Sequence, residues 1–236
     1  MKSKAGLLFS LVLVGGIIFA GLSVLRPVEK PSEDVQNVDS QLQAQDSVGS
    51  DGSVPGMRLY RISQGESAVE FEIDEVLRGN DKTVIGTTNQ IAGDILINTE
   101  HPSDSILGKI RVNARTLKTD DDNRNRALNN LILKTDVESN EFIEFSPRAV
   151  SGWPELLEPG VSFDVRIEGD LYVSGVTKTA VFAGSVALTE DGTITGDIET
   201  SVPYRNFDLS IPNLPFLANV EEDVTLRAHV VALPVE

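Results

Sequence analysis

Side chains able to do acid–base, nucleophilic or metal chemistry are few and poorly grouped in this chain. There are two histidines, His101 and His229, and no cysteine. That leaves little for a zinc site or a histidine general base, and it removes disulfides and thiolate ligands. The densest charged phrase is TDDDNRNR, with Asp120, Asp121 and Asp122 in a row and Arg124 and Arg126 behind them. Adjacent carboxylates invite calcium, but an EF-hand loop needs ligands at alternating positions, a glycine and a distal glutamate, and none of that follows. Carboxylates are instead expected at the positive end of a helix dipole, with Thr119 or Asp120 as the cap. Arg124 and Arg126 carry the planar fork that suits a lipid phosphate, yet beside these aspartates local ion pairs account for them. No Gly-x-Ser-x-Gly elbow, Walker loop or His-Glu-x-x-His pair occurs. Serines and aspartates without a base read as turn and cap residues. The expectation is a binding protein, not an enzyme, with no metal and no cofactor.

Balance and length bound the partners. Acidic residues outnumber basic ones 36 to 20 in a chain of 236, for a formal charge of -16. Nucleic acid, which wants lysine and arginine patches, is excluded as a partner. Ala5–Leu25 contains no charge, and as a helix it measures about 30 Å, the thickness of a bilayer core. Lys2 and Lys4 before it favour a cytoplasmic N-terminus. Residues 1–25 are therefore expected to be a signal-anchor that crosses the membrane. A signal peptide cleaved near Gly21–Val24, with secretion of the rest, is the rival reading. Either way the remainder is exported. Residues 26–56 are rich in Ser, Gln, Asp, Gly and Pro and read as an acidic flexible linker.

From residue 57 to 236 the apolar residues recur almost everywhere at period two, which specifies strands. AVEFEIDEV shows it best: Val69, Phe71 and Ile73 face one way, Glu70, Glu72 and Asp74 the other. Strands are expected at Ala68–Val76, Thr83–Asn98, Ser105–Thr116, Glu141–Val150, Val161–Val173, Thr177–Leu188, Thr193–Tyr204 and Val224–Ala232. Joined in sequence by short turns, they predict an all-β, eight-stranded antiparallel up-and-down barrel, with a two-sheet sandwich as the alternative. One helix, Thr119–Thr135, falls between the third and fourth strands, its Leu128, Leu131 and Ile132 facing the sheet.

The inward set follows from the alternation. After Val69, Phe71 and Ile73 come Ile91 and Ile95 on the second strand. Ile110, Val112 and Ala114 continue it on the third, opposite Lys109, Arg111, Asn113 and Arg115. Ile143 and Phe145 lie on the fourth, Phe163, Val165 and Ile167 on the fifth, and Leu226, Ala228 and Val230 on the last. His229 points outward. Periodicity leaves open whether these residues wall a cavity or fill a core. Strand glycines, Gly86 and Gly169 among them, permit close approach or bending. The segment Asn206–Val220 is apolar and broken by Pro212 and Pro215. It is expected to plug one end of the barrel, the alternative being to present Ile211, Leu214, Phe216 and Leu217 to a membrane or partner.

Several phrases, taken in order, carry a resemblance. They are SAVEFEI (Ser67–Ile73), VIGTTNQIAGDILI (Val84–Ile97), VNARTLKTDDDNRNRAL (Val112–Leu128), EFIEFSP (Glu141–Pro147) and FDVRIEGDLYVSGVTKTAVF (Phe163–Phe182). The last contains Gly169, Leu171, Gly175, Val176 and Thr177 in a Gly-x-Leu-x-x-x-Gly-Val-Thr pattern. Together, over roughly Tyr60 to Ala232, the sequence resembles the YceI-like family of polyisoprenoid- or lipid-binding domains with a lipocalin-like barrel. One departure concerns the helix, where the family carries Arg-Asp and this chain has Arg124–Asn125. The segment is therefore expected to be held differently here.

The resemblance implies an eight-stranded barrel that holds an isoprenoid or other long-chain lipid, with the inward residues as its wall. A buried methylene contributes about 0.8 kcal/mol and association costs about 4–15 kcal/mol, so chains of about fifteen carbons or more are favoured. The expected function is that of a membrane-tethered extracytoplasmic binding protein. The alternative is a non-catalytic, stress-related or interaction barrel with a filled core and no ligand.

Overall fold

The longest runs of alternation become the longest strands. In a computed structural model of the chain, residues 56–212 and 217–235 are described, Leu217 and Ala218 by backbone alone. The expected membrane segment 1–25 and nearly all of the linker 26–56 lie outside the described residues. Among those described, no helix is long and apolar enough to cross a membrane.

The strands are β1 (Met57–Ile62), β2 (Ala68–Leu77), β3 (Asn80–Thr88), β4 (Ile91–Ala92), β5 (Asp94–Asn98), β6 (Ile106–Leu107) and β7 (Ile110–Asn113). After one short helix, α1 (Asp122–Ala127), come β8 (Phe142–Ser151), β9 (Ser162–Val173), β10 (Val176–Leu188), β11 (Ile194–Pro203), β12 (Leu217–Ala218) and β13 (Asp223–Pro234). All pair antiparallel in one curled, barrel-like sheet, ordered β4-β7-β8-β9-β10-β11-β13-β1-β5-β6, with β2, β3 and β12 branching from it. The β2–β3 and β9–β10 turns place Arg78–Gly79 and Ser174–Gly175 at positive φ, as tight hairpins with a right-handed twist require.

The count of thirteen differs from the expected eight because a sheet this curved must break its ladders. The stretch expected as one strand, Thr83–Asn98, is divided into β3, β4 and β5. At Gly93 the chain changes partner: β4 pairs β7, β5 pairs β1, and the Ile62 N–H donates to the Gly93 carbonyl. A Cβ on Gly93 would sit 2.5 Å from the Ile110 Cδ1, so any larger residue there would have to displace the end of that side chain. The alternation reading also missed β1, which shares one edge of β13 with β2. Between β1 and β2 the chain detours, and Ser67 staples the gap. Its hydroxyl donates to the Val231 carbonyl and accepts from the Val231 N–H at 2.9 Å.

The helical segment is shorter than the expected Thr119–Thr135. Asp121, rather than Thr119 or Asp120, caps α1 by accepting from the Asn123 and Arg124 N–H groups. Thr119 is instead held by Asn125, whose Oδ1 accepts from its N–H and its hydroxyl at 2.7 and 2.8 Å. Leu128–Ile132 then widens into a π turn, closed by the Leu133 N–H on the Leu128 carbonyl. The wider turn redirects the expected face: Leu128 is buried, whereas Leu131 is 37% exposed.

A second correction falls at the end of β7. The strand stops at Asn113, and Ala114–Thr116 forms a 3-10 turn capped by the Asn113 side chain. With the alternation broken, Asn113 and Arg115 do not face water as expected; Asn113 is buried, and Arg115 pairs with Glu141 at 3.0 Å with both side chains 6% exposed. Lys109 and Arg111 do face outward, and both bind Glu144. Burial pushes the Glu144 carboxyl up, but hydrogen bonds from the two cations outweigh it and hold the group below the ordinary glutamate range.

Candidate functional site

The inner faces of the strands enclose a cavity of about 320 Å³. Every expected wall residue lines it except Ala114: Val69, Phe71 and Ile73; Ile91 and Ile95; Ile110 and Val112; Ile143 and Phe145; Phe163, Val165 and Ile167; Leu226, Ala228 and Val230. Ala114 is buried in the packing beside Leu117 instead, because its strand has already ended. The rest of the lining is almost wholly aliphatic or phenylalanine. Glu70 and Arg227 touch it, yet their charged ends meet each other at 3.1 Å on strands whose alternation carries them outward. His229 is exposed as expected and contacts Asp197 at 2.8 Å.

Two strand glycines serve rings, not empty space. The Phe71 ring lies over Gly86 opposite it, where a Cβ would come within 2.1 Å, and the Phe145 ring over Gly169, within 2.7 Å. Phe145 also meets Phe182 edge-on at 4.9 Å. The rings narrow the cavity to a slot.

One end, the lid end, is covered by the helical segment and by the chain after β11. Leu128, Ile132 and Leu133 come from the first, Tyr204, Phe207, Leu209 and Ile211 from the second, and all of them line the cavity. The expected plug is thus present up to Ile211. Leu214 and Phe216 lie outside the described residues, and β12 pairs antiparallel with the end of β2, Leu217 opposite Leu77 and Ala218 opposite Val76. Among the described residues, β3 has no strand partner on its far edge save the bridge from Thr87 to Lys118. Side chains span the gap: Lys82 to Asp120 at 2.7 Å and Arg124 to Glu75 at 3.1 Å. The Lys82 hydrogen bond is the main cause that holds Asp120 below the ordinary aspartate range. Arg124 and Asp120 also pair locally, as expected. On the other side Ser174 donates to the Leu133 carbonyl at 2.9 Å, and Arg115 donates to the Thr135 carbonyl at 2.7 Å.

The opposite end, the base end, is closed by the loop between β8 and β9. Trp153 and Leu157 line the cavity there, with Trp153 against Phe163 at 5.8 Å. Neither they nor Tyr204 and Phe207 figured in the inward set. The available clue was compositional: the only tryptophan sits in GWPELLEPG, a turn-rich phrase that still carries two leucines.

The arrangement offers an apolar slot whose cover at one end is pinned by ion pairs, a shape suited to an alkyl or prenyl chain. Solved structures of similar shape include Burkholderia cenocepacia BcnA, 14% identical with a TM-score of 0.57, covering 73% of this chain and 99% of that one. A polyisoprenoid binding domain from Saccharophagus degradans, implicated in plant cell wall breakdown, is 13% identical with a TM-score of 0.58, covering 75% of this chain and 98% of that one. No curated protein is significantly similar in sequence. The model of the YceI-like domain matches residues 60–232, and the chain belongs to that family.

Proposed function

We propose that this chain is a membrane-tethered, extracytoplasmic, non-catalytic binding protein that holds one long-chain isoprenoid or similar amphiphilic lipid in its cavity. In this reading the thirteen strands act as eight courses of a lipocalin-like barrel around the guest. The observation that carries it is the continuous apolar slot of about 320 Å³ under a cover fastened by ion pairs. A filled core would leave no such space. The name of the Saccharophagus domain, polyisoprenoid binding, supports the same guest class. The polar head belongs at the lid end, where Tyr204 is the one hydroxyl-bearing side chain in the described lining. The tether, and with it the extracytoplasmic location, rests on the hydropathy of residues 5–25.

A pair of enlargements tests the guest. Val69 lines the cavity and Ala114 does not. Val69→Phe fills space the lipid would take. It is expected to leave the melting temperature of the delipidated protein nearly unchanged while abolishing affinity for a long-chain prenyl alcohol. Ala114→Phe meets packed atoms and is expected to cost about 1–3 kcal/mol by overpacking. Wild-type protein that binds no prenyl or alkyl chain would sink the proposal.

A further inference from the structure

We propose that Trp153 is a specificity-determining residue: it stops the cavity at the base end and so sets the length of chain that fits. The inference rests on the lipid-binding reading above and adds a direction and a limit to it.

The direction comes from the contrast between the two ends. At the lid end the Tyr204 side chain lines the cavity, and the ion pairs of the cover lie outside the lining. The base end is walled by Trp153, Leu157, Ile97 and Ile194, none of which carries a charge. An amphiphile therefore enters tail first and its tail points at Trp153.

The limit comes from how rigidly that residue is held. The chain leaves β8 through Gly152 at a φ of +96°, so close to β9 that a Cβ would lie 2.1 Å from the Asp164 carbonyl oxygen. It returns with the Gly160 N–H donating to the Leu188 carbonyl at 2.7 Å. The loop is thus clamped to a strand at each of its roots. Within it, Leu156 is 59% exposed while the next residue, Leu157, is 9% exposed, so the loop has one wet face and one face toward the cavity. The indole lies tilted by 36° against Phe163 and is itself only partly buried. The indole lines the slot at this end, so removing the ring lengthens the space open to a tail.

The test uses the full-length protein held in amphipol and a ladder of all-trans prenyl alcohols, each with a diazirine at the tail end. Saturable photolabelling is read by intact mass for chain length and by peptide mapping for position. Wild type is expected to label on Trp153, Leu157 or Phe163 and to cut off above one chain length. In Trp153→Ala the cut-off moves up by at least one isoprene unit. Leu157→Ala moves it the same way by less, and Trp153→Phe keeps it near the wild-type length. A melting curve shows which variants fold; should Trp153→Ala not fold, the other two decide. Cavity labelling with one cut-off in wild type, Trp153→Ala and Leu157→Ala overturns the stop and leaves lipid binding standing. Absence of saturable labelling in wild type overturns both.

Discussion

At the base end Trp153 and Leu157 lie on Phe163, Ile97 and Ile194, and turns are made by Gly152, Gly160 and Gly192 at positive φ. At the lid end the cover is fastened by Lys82–Asp120, Arg124–Glu75 and the buried Arg115–Glu141 pair. There, too, Arg78, Lys134, Ser174, Asp208 and Asn219 take positive φ without being glycine, each at some conformational cost. One end is shut by apolar contact alone, which charge and pH barely touch. The other adds ion pairs to its apolar contacts, so part of its closure responds to proton uptake or to a neutral substitution. The two ends therefore differ in what can loosen them.

The largest effect is expected inside the lid anchor. Arg115→Ala takes the cationic partner from the buried Glu141 carboxylate and the donor from the Thr135 carbonyl, a loss of about 3–5 kcal/mol in urea unfolding. An unchanged midpoint would show that the buried pair does not hold the cover. Next comes the rotation made by the π turn. Leu128→Asp should cost roughly 2–4 kcal/mol, because it buries an unpaired charge. Leu131→Asp, three residues on but exposed, should stay within about 0.5 kcal/mol. Equal losses at the two positions would restore the straight helix.

The base end offers the counterpart. Gly152→Ala combines a positive φ with a backbone clash and should lower stability by about 1–3 kcal/mol. Smaller still is the effect of the outer pins. Glu75→Gln should leave the melting temperature nearly unchanged yet speed amide exchange over residues 119–135. Acid sharpens this. A carboxyl held low stabilises the closed cover fully above its unfolded pKa, and that contribution is lost only as pH falls through the lowered value. Exchange protection of the cover should therefore persist below the ordinary aspartate range, and Lys82→Met should move its loss upward in pH. Loss at the same pH in both proteins would remove Asp120 from the mechanism. The smallest change is expected for Arg78→Gly, within about 0.5 kcal/mol, since relief at φ 53° is offset by the greater freedom of the unfolded chain.

Period-two alternation carried most of the wall, because an inner face stays inner as long as the ladder is regular. It failed where the ladder ends. Ala114 follows Asn113, whose side chain caps a 3-10 turn, and no count of alternate residues marks that stop. Leu131 failed for a related reason: a helical period places it with Leu128, and a π turn does not. The closures were least legible. Trp153 and Tyr204 lie in turns and loops, where facing is set by tertiary contact instead of repeat. β1 escaped because its MRLYRI run is short and its two arginines, Arg58 and Arg61, fall on opposite faces and blur the alternation.

The pairing of β13 with β1 has a bearing on how the domain is made. Tyr60 lies opposite Pro234, and Ile62 opposite Ala232, so one of the first strands waits for the last. Contacts this distant in sequence close slowly. Until Asp223–Pro234 has been synthesised, β1 and β2 lack the partner along which they align, and β11 keeps an open edge. The nascent domain is an unfinished sheet with sticky margins, and its cavity is enclosed only once β13 is in place.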